Sequence, residues 1–184
     1  MKRQNHIRQR RRIFVGCEGE SEQSYIALIQ RHLGAAAAFH IVARVLNGGD
    51  PLALLESARK AIRAQRANGR DPFVKRFVLI DSDLRGRSPA RDVECTAVAA
   101  EEGIDIVWQE PCHEAMLLRH LIGCHDRRPA TSTASLEALR REWPRYRKNM
   151  TAQELEERID RASLERAVEH DLEVAKLLRS VGSS

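Results

Sequence analysis

The sequence predicts an α/β fold, an open, mainly parallel sheet of four strands flanked by helices, with a helical C-terminal extension. Three observations lead there. Four short runs rich in apolar and β-branched residues, RIFVGC (12–17), FHIVARVL (39–46), KRFVLID (75–81) and IDIVWQE (104–110), have the length and composition of buried strands. Segments with helical spacing separate them, which implies right-handed crossovers and parallel neighbours. Beyond about residue 126 the strand-like runs stop, and the chain becomes charged and helical.

Each element follows from its residues. After the first strand, Tyr25, Leu28, Ile29, His32 and Leu33 keep the i, i+3, i+4 spacing of a helix face, and Gly34 ends it. NGGDP (47–51) is a loop in which Asp50 caps a helix of about 52–67, with Pro51 at its first position. SPARDVECTAVAAEEG (88–103) opens on a Ser cap and Pro and closes on Gly103, so both helix ends are marked. CHEAMLLRHLIG (112–123) reads as a short apolar helix, and DRRPATSTAS (126–135) as a polar loop. A long helical stretch then runs through residue 180, where Leu164, Val168, Leu172, Ala175 and Leu178 form one apolar stripe. The organisation expected is a basic arm (1–11), an α/β core (12–125) and a helical extension packed on it (126–184).

With 184 residues the chain is ample for one core-bearing domain and tight for two. Its 31 basic and 26 acidic residues give 31 − 26 = +5, mostly as Arg, which favours a polyanionic partner, although codon usage produces the same excess. Four cysteines, at 17, 95, 112 and 124, make no CxxC and read as reduced thiols. The basic opening MKRQNHIRQRRR leads into no apolar stretch of a secretory leader. No segment approaches the roughly 20 apolar residues of a membrane helix. The expectation is a soluble, cytoplasmic protein with no membrane partner.

Two acidic stretches carry the functional reading. VGCEGESE (15–22) places Glu18, Glu20 and Glu22 just after the first strand, and FVLIDSDLRG (77–86) ends the third strand in Asp81 and Asp83. Ligands of open parallel sheets sit beyond the carboxyl ends of the strands. If these strands are neighbours, three or four carboxylates converge there and raise one another's pKa unless a cation intervenes. Such hard oxygen donors suit Mg²⁺ or Mn²⁺. Gly19 lets the backbone turn sharply beside the ion. For Glu20 and Glu22 the plainer alternative is a place in the first turn of a helix, where the dipole favours acids.

CEGESE followed by Tyr25, LIDSD, and EPCHEAMLLRHL together resemble the RloB-like proteins, which belong with the Toprim domains of topoisomerases, primases and OLD-type nucleases. The Toprim pattern, a Glu-Gly after the first strand and an Asp-x-Asp after a later one, falls on Glu18, Gly19, Asp81 and Asp83. A family stretch similar to NPCFELWLLLHF reads here EPCHEAMLLRHL, keeping Pro111, Cys112, Glu114, Leu117, Leu118 and His120 and departing at His113, Met116 and Arg119. Tyr146 and Lys148 echo a Tyr-x-Lys of the family. The resemblance spans roughly residues 12–150. It implies a Toprim-like (Rossmann-like) sheet and metal-dependent phosphodiester chemistry on DNA or RNA, in a bacterial anti-phage or restriction-linked system with a possible protein partner from the same locus. Asp81 and Asp83 would hold Mg²⁺ or Mn²⁺, Glu18 would act as ligand or general base, and Glu22 would hold a second ion.

Neighbouring signals stay open at this level. Glu114 shares a helix face with Leu117, Leu118 and Leu121, and serves either to support the site or as a carboxylate held by backbone N–H groups. His113, His120, Cys124 and His125 do not make a zinc site, because His113 and His120 lie roughly 10 Å apart along a helix. Arg10, Arg11 and Arg12 of the arm, Arg85, Arg87 and Lys148, and RREWPRYRK with Trp143 and Tyr146 for stacking, are the candidate phosphate contacts. Two other function classes compete with a nuclease: a non-catalytic Toprim-like protein binding nucleic acid or a partner, and a haloacid dehalogenase-type phosphatase with Asp81 as nucleophile.

Overall fold

The computed structural model describes residues 10–34 and 37–182. Strands β1 (Arg11–Cys17), β2 (Phe39–Val45), β3 (Phe73–Asp81) and β4 (Asp105–Gln109) form one sheet in the order β2-β1-β3-β4, every pair parallel. Helices α1 (Glu20–Leu33), α2 (Pro51–Ala67) and α3 (Pro89–Glu102) make the crossovers, and α4 (His113–His120) follows β4. The four strands and their order in the chain are those read from the sequence. Residues 1–9 of the basic arm lie outside the described residues, and Arg11 and Arg12 belong to β1.

Alternation along the strands builds two cores. Ile13, Val15 and Cys17 of β1, with Phe77 and Leu79 of β3, pack on one face with α1, α4 and the C-terminal helices. Phe14, Val78 and Ile80 face the other way, onto α2 and α3. Gly16 in the middle of β1 keeps this packing tight, since a Cβ there would stand 2.8 Å from Leu46 Cδ1 and 3.2 Å from Val78 Cγ2. Asp50 caps α2 through its carboxylate and Gly103 ends α3 in the left-handed conformation, as the sequence signals indicated.

The C-terminal part departs from the sequence expectation in two places. The polar stretch 126–135 is not all loop: Thr131 accepts a bond from the Ala134 amide (3.1 Å) and starts α5 (Ser132–Glu142). The long helical stretch is three helices, α6 (Ala152–Glu156), α7 (Arg161–His170) and α8 (Leu172–Gly182). The apolar stripe is broken accordingly, with Leu164 and Ala175 buried but Leu172 77 % exposed. Asp171 causes the break. Its backbone is extended, and its carboxylate accepts from the amides of Glu173 (3.1 Å) and Val174 (3.2 Å), which starts a new helix. Trp143, Tyr146, Leu155, Ile159, Leu164, Val174 and Leu177 all join the α1-side core. On the outer edge of β4, Glu173 accepts from the Trp108 amide (2.9 Å), covering part of an unpaired strand edge. Among the described residues no helix is long and apolar enough to cross a membrane.

Candidate metal centre

β1 lies between β2 and β3, so the chain leaves β1 in one direction and later returns past it to β3. The crevice outside the carboxyl ends of β1 and β3 is therefore the switch point of the sheet. Cys17 pairs with Leu79, and Glu18 one position and Asp81 two positions beyond that pair come together at the strand ends. Glu18 Oε2 accepts from the Asp81 amide at 3.3 Å. The convergence expected from the sequence is present for these two residues.

Asp81 is the centre of the cluster. Its Oδ1 accepts from the His113 amide (2.9 Å), the first residue of α4. That bond favours the carboxylate, but burial and then the charges of Glu18, Glu22, Glu114 and Asp83 push its pKa up to about 8. Glu18 is raised as well, by burial first, then by Glu22 and Asp83 against the pull of the Asp81 amide and Lys148. Asp83 stands in a 3-10 turn (Ser82–Leu84), exposed, and its Oδ2 accepts from Ser132 Oγ (2.9 Å) at the start of α5.

Glu22 is buried, and its Oε2 accepts from the Gly19 amide (2.9 Å), so it holds the start of α1 while its other oxygen lies 3.8 Å from His113 Nδ1. This is the helix-start position weighed for it in the sequence. Gly19 itself has an extended backbone, φ −141°, that any residue adopts, and no left-handed turn is built there. Glu114 is held as a carboxylate by its own backbone N–H, the plainer of the two readings offered for it, and it also meets a basic side chain. Burial pulls its pKa up, while its own backbone N–H and the Lys148 ammonium, 3.4 Å away, bring it below the ordinary carboxylate value. Tyr146 donates to the same oxygen at 3.5 Å. Glu114, Tyr146 and Lys148 thus form one cluster, and the Glu114 charge acts on Asp81.

The other candidates are dispersed. Arg11 and Arg12 lie at the opposite end of β1, roughly 20 Å from Glu18 at about 3.3 Å per residue. There they stack on Phe39 and Phe73, and Arg12 also donates to Asp71 O and Gln65 Oε1. Arg10 immediately precedes that strand. Arg85 stacks on Trp108, 4.9 Å from the ring centre. Arg87 shares a cleft of about 820 Å³ with Asp83, Arg128, Ser132 and Thr133. Sequence reasoning missed Ser132 and Arg128, and the only signal was the Thr-Ser-Thr start of α5 inside a stretch read as loop. His113 and His120 are no zinc pair. His120 Nδ1 donates to Met116 O and its Nε2 accepts from Tyr25 OH, both at 2.9 Å, and burial pushes it down to about 4.

Among the described residues, Glu18, Asp81 and Asp83 do not close to within 4.8 Å of one another as a set. As placed, the three do not close around one ion together, and their oxygen donors suit a small hard cation only through one or two of them, with water filling the remaining positions. A half-buried carboxyl ringed by four others is the group such a cation would relieve.

No curated protein matches the chain, and no solved structure does. The family model described as RloB-like protein matches residues 13–180, and the chain belongs to that family.

Proposed function

We propose that the protein is a Mg²⁺- or Mn²⁺-dependent nuclease cleaving phosphodiester bonds of DNA or RNA in the cytoplasm, within a bacterial anti-phage or restriction-linked system. The observation that supports this reading best is Asp81, a half-buried carboxyl at the sheet's switch point whose pKa is raised by burial and by the acids around it. Asp81 and Asp83 would hold the ion, with Glu18 as a further ligand or as general base. When bound, the cation supplies charge to the scissile phosphate and to the leaving oxygen. The His113 amide fixes the orientation of the Asp81 carboxyl, and Ser132 that of Asp83. Arg87 and Arg128 line the adjoining cleft as phosphate contacts. Lys148 balances Glu114 and leaves the remaining acids to the ion. A phosphatase using Asp81 as nucleophile would leave Glu18, bonded to the Asp81 amide, without a role.

A second reading, non-catalytic binding of nucleic acid or of a protein from the same locus, draws on the distance between the Arg11–Arg12 surface and the acidic centre. One assay separates the two. Plasmid, single-stranded DNA and RNA are incubated with Mg²⁺, Mn²⁺ or EDTA and either wild type or Asp81→Ala. Changes behind a metal ligand cost about 10–100-fold, so loss of Asp81 is expected to lower metal-dependent cleavage by about 100-fold or more. Retention of nucleic acid in a gel shift with no cleavage under any metal would favour the binding reading.

A further inference from the structure

We propose a second metal site of different chemistry, for a Zn²⁺-class transition ion, formed by His125, Asp126 and His170. Nothing in the acidic centre contributes to it. His125 and Asp126 sit in the turn after α4, and His170 is the last residue of α7, more than forty positions later. The turn brings them together: one donor atom from each of the three residues lies within 4.8 Å of the other two. His125 Nε2 is 3.0 Å from Asp126 Oδ2, and His170 Nδ1 is 3.7 Å from Asp126 Oδ1. Donors bound at about 2.0–2.2 Å around a tetrahedral ion stand roughly 3.3 Å apart, so small side-chain rotations close the set. Two imidazoles and one carboxylate suit Zn²⁺, Co²⁺ or Ni²⁺, and differ from the oxygen donors that suit Mg²⁺.

A separate observation shows that the chain itself holds the two segments in register. One guanidinium of Arg128 donates to the His125 carbonyl (2.8 Å) and to the His170 carbonyl (2.9 Å), tying the turn to the end of α7 at the two ligand residues. The imidazoles are 4.2 Å apart, centre to centre, and tilted by 39°. The neighbouring cation in the chain, Arg127, is engaged by Glu142 at 2.7 Å. Asp126 and His170 are exposed and His125 is half-buried, so an ion reaches them directly from solvent, and a water or a group from another molecule completes its coordination. Because Arg128 also lines the cleft beside Asp83, an ion here would clamp one wall of that cleft.

The test uses the full-length protein titrated with Co²⁺ and Zn²⁺ in excess Mg²⁺, which occupies any hard-oxygen site. The expected result is one equivalent of Co²⁺ with a visible absorption band, displaced by Zn²⁺. Affinity is expected to fall at least about tenfold in His170→Ala and in His125→Gln, as for loss of a ligand. Asp81→Asn should bind as wild type does. These histidines lie at the surface, and circular dichroism verifies that the variants fold. Absence of Co²⁺ binding in wild type, or equal binding by wild type and His170→Ala, would overturn the proposal.

Discussion

Replacing Asp81 with Asn is expected to make the metal-free protein more stable at pH 8 while removing its response to Mg²⁺ and Mn²⁺. The sign follows from linkage. Asp81 titrates near 4 when unfolded and is pushed up to about 8 in the fold, so the native state holds a proton that the unfolded chain gives up. Its stabilising contribution is full below about pH 4 and is lost as pH rises toward 8. Each tenfold difference in proton affinity between the two states is worth about 1.4 kcal/mol, so the loss is on the order of a few kcal/mol. Asn mimics the protonated acid, still accepts from the His113 amide, and does not titrate. Urea unfolding in EDTA between pH 7 and 8.5, above the range in which the buried His113 and His120 affect stability, should therefore show wild type weakening with pH more steeply than Asp81→Asn. Adding Mn²⁺ should restore wild type at pH 8 and leave the variant unchanged. A wild-type profile without slope would mean that the acids are too well hydrated to repel one another.

The largest purely structural effect is expected at the buried pair of Arg119 and Asp171. Arg119 Nε and Nη2 approach Asp171 Oδ2 at 2.8 and 2.5 Å, both side chains are buried, and the pair joins α4 to the break between α7 and α8. Asp171→Ala strands a buried guanidinium, which costs about 3–5 kcal/mol, and removes the cap of α8, worth about 1 kcal/mol more. For a chain of this size the melting temperature should fall by roughly 10 °C or more. Asp171→Asn keeps the cap and loses only the charge. Adding Arg119→Met to it should recover much of the loss, and a double-mutant cycle in urea measures that coupling. Additive effects of the two changes would show that the pair carries no special energy.

Most of the sheet was legible because its two central strands, β1 and β3, are buried on both faces over their C-terminal halves and read as continuous apolar runs. RIFVGC and FVLID needed no partner to be recognised. Helix ends with local chemistry were equally plain, as at Asp50-Pro51 and Gly103. Glu18 and Asp81 were legible as neighbours only on the condition that their strands pair, and the strand order meets that condition. What failed was long-range. Nothing local to Asp171 reveals that Arg119, fifty-two positions earlier, would bury its carboxylate, so α7 and α8 read as one stripe. Arg119 itself, a departure from the family stretch, is the other half of that pair. The same limit hid Ser132 beside Asp83, Arg128 in the cleft, and His170 beside His125, each contact being made by folding and not by spacing. Glu22 was ambiguous in the sequence because a helix N-terminus and an ion attract carboxylates for the same electrostatic reason.

The most direct measurement is a calorimetric titration of Mn²⁺ into wild type and Asp81→Asn at pH 7, repeated in buffers of different ionisation enthalpy. A carboxyl that titrates near 8 is mostly protonated at pH 7 and must shed its proton to hold a cation. Wild type is expected to bind Mn²⁺ with release of a large fraction of one proton, and Asp81→Asn to bind at least tenfold more weakly with no release. Equal affinity in both proteins, or no binding to wild type at millimolar Mn²⁺, would contradict a metal centre at Asp81.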